Sequence, residues 1–124
     1  MFRISHHGKG FTMKFQNNFS LSVQFSEFNY CDRRTYEPVK NKEEGEEWES
    51  ETAEIAILYE GNLMNVFEAY KLGDEMRVDS VKGWVDTNYV AEIINIVSKA
   101  STQEEVFEGI KNIVHLADTK SIRI

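Results

Sequence analysis

The sequence holds one cysteine and one proline in 124 residues. A lone thiol excludes an internal disulfide framework, a Cys-pair zinc site and a CxxC redox centre. No stretch approaches the roughly eighteen consecutive apolar residues of a membrane span. Polar residues stand near the start, where a signal peptide would carry its apolar stretch, so a cytosolic protein is expected. Bases are in the minority, 14 Lys and Arg against 21 Asp and Glu, for a net charge of -7. A net acidic chain must gather its few bases on one face to hold phosphates, which disfavours nucleic acid as a partner.

Core-forming side chains are plentiful by contrast. At 41% hydrophobic and 12% aromatic, with eight Phe, the chain has the supply for one core and the length for one domain. Its charge is segregated along the sequence: residues 1–42 carry a net +4, whereas residues 43–60 hold eight Glu and no base. The acidic run from Glu43 through Glu46 and Glu47 to Glu49 reads as a solvated loop kept open by self-repulsion. Trp48 within it suggests the sharper reading, an acidic surface that meets a basic partner and anchors through the indole.

Hydropathy patterning divides the chain into regions at 1–26, 27–52, 53–85 and 86–117. Phe11, Met13 and Phe15, then Phe19, Leu21, Val23 and Phe25, alternate with polar residues, the period of half-buried strands. Asn17 and Asn18 between them tolerate positive φ and predict a tight hairpin. Phe2 to His6 supplies a further strand, with Gly8–Lys9–Gly10 as its turn. A long acidic loop over 27–52 follows, longer than ordinary connections. A second β region begins with Ile55, Ile57 and Tyr59 on one face, turns at Glu60–Gly61–Asn62, and continues through Leu63 to Tyr70 and Met76 to Val81. Trp84 reads as a core residue closing the junction between sheet and helix. Tyr89, Val90, Ile93, Ile94 and Val97 then fall at helical spacing behind an N-cap at Asp86 or Thr87. Thr102 and Glu105 make a capping box ahead of Val106, Ile110, Ile113 and Val114. The expected fold is α+β: an antiparallel sheet built from two hairpins, with a C-terminal two-helix hairpin packed on one face.

Three constellations bear on chemistry. Lys9 between two glycines offers a cation and flexible N–H groups to an anion, without the length of a P-loop. Tyr30, Arg33, Arg34 and Tyr36 combine guanidinium forks with rings that stack, suited to a phosphate, a carboxylate or a partner's side chain. Cys31 beside two arginines favours a thiolate, and a small hydrolase-like enzyme would draw on it with His6 and His7. Adjacent histidines in a strand point to opposite faces, so they do not share one metal ion, and no metal and no cofactor is expected.

The strings Gly8-Lys9-Gly10-Phe11, Phe15-Gln16-Asn17-Asn18, Ser22-Val23-Gln24-Phe25 and Asn29-Tyr30-Cys31 resemble a group of small proteins encoded by tailed bacteriophages and prophages. The resemblance covers about residues 8–31, is weaker over 53–100, and departs at Ser26-Glu27-Phe28, where the group has a Gly-rich turn. It implies a phage-encoded accessory protein in the host bacterial cytoplasm. Taken with the small size, the lack of a catalytic constellation and the acidic loop with Trp48, the expected role is to bind and inhibit a host factor such as a component of an antiphage defence system, without catalysis. The candidate binding residues are Lys9, Tyr30, Arg33, Arg34, Tyr36, Glu46, Glu47 and Trp48, none of them catalytic. Two alternatives stand beside it: a protein that sequesters a small phosphorylated ligand such as a nucleotide signal, and the hydrolase-like enzyme. A homo-oligomer is compatible with each.

Overall fold

The structure is a computed structural model that describes residues 2–4, 9–33, 48–72 and 75–121. Among the described residues, nine strands precede two helices: β1 (Phe2–Ile4), β2 (Gly10–Lys14), β3 (Phe19–Gln24), β4 (Trp48–Ser50), β5 (Thr52–Tyr59), β6 (Asn62–Leu63), β7 (Phe67–Leu72), β8 (Glu75–Asp79), β9 (Val81–Asp86), α1 (Thr87–Lys99) and α2 (Gln103–Ser121). The α+β architecture expected from the sequence is present.

The alternating segments form the hairpin β2–β3, with Phe11 opposite Val23 and Met13 opposite Leu21. Asn18 takes φ 71° at the turn, the left-handed conformation that asparagine accepts most readily after glycine. β3 continues onto β5 in register, Val23 opposite Ile55 and Leu21 opposite Ile57. Paired residues share a face, so the two strands press Phe19, Leu21, Val23, Ala53, Ile55 and Ile57 into one buried surface. Val90, Ile93 and Val97 of α1 and Val106, Ile110 and Ile113 of α2 complete that core. Their spacing of three and four puts each set on a single stripe.

Both helix starts carry the caps read from the sequence. The Asp86 carboxylate accepts the Tyr89 N–H at 2.8 Å. Thr102 Oγ1 accepts the Glu105 N–H at 3.2 Å, while the Glu105 carboxylate accepts the Ser101 N–H at 2.9 Å, one residue earlier than a capping box requires. The helices approach closely where Gly109 faces Ile96, since a Cβ on Gly109 would stand 2.6 Å from Ile96 Cγ2.

Three expectations need correction. The acidic loop does not run through residue 52: β4 begins at Trp48 and pairs antiparallel with β1, Ile4 opposite Trp48 and Phe2 opposite Ser50. Consequently β1 forms no hairpin with β2. The segment after Gly61 is not one strand either, because β6 ends at Leu63 and β7 starts at Phe67, pairing with β8 as a separate two-stranded ribbon. Finally, Trp84 lies within β9, which joins the main sheet beside β5, and the indole is exposed. Among the described residues no helix is long and apolar enough to cross a membrane.

Candidate functional site

Two tryptophans define two surfaces of opposite character. Trp48 is 6% exposed, and its indole Nε1 donates to Phe25 O at 2.6 Å. Burial of an indole requires such a partner for its N–H, and the carbonyl at the end of β3 supplies it. Two cations lie over the ring: Lys9 Nζ at 4.3 Å and Arg33 Cζ at 5.0 Å from its centroid. Lys9 is also bonded to the Glu27 carboxylate at 2.7 Å, with the Glu27 side chain only 9% exposed. Arg33 Nε donates to Glu49 O. The basic residues proposed from sequence as ligand contacts are thus engaged, in Lys9 and Arg33, by one buried indole within the acidic run. Trp48 sits in the core, which removes it as a projecting anchor.

The segment between β3 and the acidic run is a compact turn. Asn29 Oδ1 accepts the Ser26 N–H at 2.9 Å and the Ser26 hydroxyl, while Ser26 Oγ accepts the Phe28 N–H at 3.2 Å. Cys31 is 1% exposed and its thiol donates to Ser26 O at 3.4 Å, the environment of a packed side chain. The turn leaves Phe28 and Tyr30 on the surface, 76% and 43% exposed.

Trp84 joins Tyr30 there at 55% exposure, its ring centroid 5.8 Å from that of Tyr30. The backbone beneath is built for this placement. Ile55 pairs with Lys82 and Ala53 with Val85, so Gly83 and Trp84 together oppose Glu54 as a β-bulge. Trp84 takes φ 52°, a genuine outlier for a bulky residue. Its N–H donates to Tyr30 O at 2.9 Å, and the Glu54 carboxylate accepts the Tyr30 N–H at 2.8 Å, so both sides of the Tyr30 backbone are held. A Cβ on Gly83 would meet Tyr30 Cβ at 2.6 Å, so this contact needs glycine. Asp32 N–H donates to Thr52 Oγ1 at 3.0 Å, and Thr52 pairs with Asp86. Asp32, two residues from Tyr30, Glu54, opposite the bulge, and Asp86, two residues from Trp84, thus belong to the same stretch of the fold.

Of the residues singled out from sequence, Lys9, Arg33 and Trp48 come together, and Tyr30 lies on the other surface with Trp84. Arg34, Tyr36, Glu46 and Glu47 lie outside the described residues, as do His6 and His7. Trp84 and Phe28 are the residues sequence reasoning missed. The available signal was that Trp84 shares the period of Lys82 and Asp86, the polar side of its strand, while Val81 and Val85 occupy the other. Comparison with protein-family models, with curated proteins and with solved structures found no match.

Proposed function

We propose that this chain acts by binding a protein partner through the aromatic surface of Phe28, Tyr30 and Trp84, as a phage-encoded accessory protein that inhibits a host factor in the bacterial cytoplasm. The observation that carries the reading is Trp84 itself. A left-handed, non-glycine backbone costs on the order of 1–3 kcal/mol, and here it turns a large ring toward solvent, where burial returns little to folding. Exposed tryptophan and tyrosine on a rigid support are the side chains that dominate protein interfaces. The resemblance over residues 8–31 supplies the phage setting, and a host defence component is the class of target that setting favours.

The test is native mass measurement of the protein purified from bacterial cells, beside its Trp84→Gly variant. A host protein retained by the parent chain and lost from the variant supports the reading. A retained nucleotide mass, unaffected by Trp84→Gly, would replace it with sequestration of a phosphorylated ligand.

A further inference from the structure

The chemistry around Trp84 specifies the partner more narrowly; the step rests on the binding role just proposed. Three acidic residues reach this stretch of the fold from different elements. Asp86 lies two residues along β9 from Trp84 and caps α1. Glu54 opposes the bulge from β5, and Asp32 is tied to Thr52 from the preceding turn. Among the described residues, Arg33 lies over Trp48 and Lys82 lies toward the Tyr89 ring, 6.0 Å from its centroid. An indole face attracts a cation through its quadrupole, and flanking carboxylates add attraction and orient the approach. Trp48 shows the same chemistry satisfied internally by Lys9 and Arg33.

We infer that Trp84, with Asp32, Glu54 and Asp86, receives a lysine or arginine side chain from a basic segment of the partner. Charge complementarity selects a basic partner segment over a second copy docked by the same face, which would bring its own carboxylates to the same place. The ring supplies adhesion and the acids supply steering, so affinity falls as salt is raised.

The experiment uses a short synthetic peptide of alternating arginine and serine, with an alternating glutamate and serine peptide as control. The two tryptophans give separate indole N–H resonances, one from the buried Trp48 and one from the exposed Trp84. The expected result is a saturable shift of the Trp84 resonance with the arginine peptide alone, the Trp48 resonance staying in place. Trp84→Gly should weaken binding about tenfold, the scale of one desolvated cation–π contact. The combination Asp32→Asn, Glu54→Gln and Asp86→Asn keeps side chains able to accept the Tyr30 and Tyr89 N–H groups and should weaken binding to a similar extent. No shift at Trp84, an equal shift with the glutamate peptide, or unchanged affinity in both variants would overturn the inference. A cellular partner lost with Trp84→Gly while the arginine peptide is ignored would overturn this inference and leave the binding role standing. Arginine-peptide binding at Trp84 without any cellular partner would do the reverse.

Discussion

Asn17, in the turn of the first hairpin, closes the C-terminus of the helix that begins seventy residues later. Its Nδ2 donates to Val97 O and Ala100 O at 2.8 Å each and to Ser98 O at 3.3 Å, while its Oδ1 accepts the Phe19 N–H at 3.2 Å. The last carbonyls of a helix lack partners within it, and here a β-turn side chain meets them. One amide thereby fixes both the hairpin and the seat of α1 upon it.

Asn17→Ala should cost about 1–3 kcal/mol in chemical denaturation, from several carbonyls losing a donor at once. Asn17→Asp should cost more at neutral pH, because it places an acceptor and a negative charge against the negative end of the helix. The folded state disfavours that charge, so the carboxyl pKa is raised on folding. The extra penalty should then be present above the folded pKa and fade as pH falls through the carboxylate range. A pH-independent difference between the two variants would contradict the geometry.

Val23→Asp places a carboxylate on the fully buried face between Phe11 and Ile55. The protein should unfold or be recovered insoluble, since a buried charge without a partner exceeds the stability of a small domain. An unchanged melting temperature would mean that β3 faces the other way.

Gly109→Ala sets helix propensity, worth about 1 kcal/mol, against the 2.6 Å approach to Ile96 Cγ2. Isoleucine is stiff at χ1 and does not swing aside cheaply, so the net effect should be a loss of about 1–2 kcal/mol. Adding Gly109→Ala to Ile96→Ala should instead stabilise, because the obstructing branch is gone. Thermal unfolding of the four members of that cycle measures the coupling.

Trp84→Gly and Trp48→Ala should differ sharply in stability. The first relieves a left-handed backbone while giving up an exposed ring contact with Tyr30, so its unfolding free energy should stay within about 1 kcal/mol of the parent. The second removes a buried indole, its bond to Phe25 O and the seat of two cations, and should cost about 3–5 kcal/mol. Denaturant titrations of both distinguish a surface aromatic from a structural one.

How far the sequence disclosed these arrangements depended on the range of the interaction. The first hairpin was legible because alternation from Phe11 to Phe25 and the asparagines between them are local signals. The helices were legible through spacing and through Asp86, Thr102 and Glu105. β4 was not, because Trp48 stands in a glutamate-rich stretch whose composition reads as solvated, and only pairing with Phe2–Ile4, far away in sequence, makes it a strand. The same non-local contact turned Trp48 from a projecting anchor into core. Trp84 was hidden for a different reason: a large apolar ring beside a helix reads as core by residue type, although its place in the alternation with Lys82 and Asp86 is on the polar side of a strand that bulges there. At the candidate site Tyr30, singled out from sequence for stacking, is partly exposed, whereas its neighbour Trp84, expected in the core, is exposed.

The register of β3 on β5 has a kinetic meaning. Gln24 lies opposite Glu54, so the central pairing of the sheet forms only after residues 25–53 have closed into a loop. Closure entropy grows as the logarithm of loop length, and doubling that length costs only about 0.6 kcal/mol. Extra uncharged residues placed within the acidic run should therefore slow folding by about threefold at most and scarcely alter the unfolding rate, whereas the helical pair, joined by three residues, is the unit whose contacts can assemble earliest. The crossover is a place where this chain can lengthen and diversify at little cost to the sheet that carries Trp84.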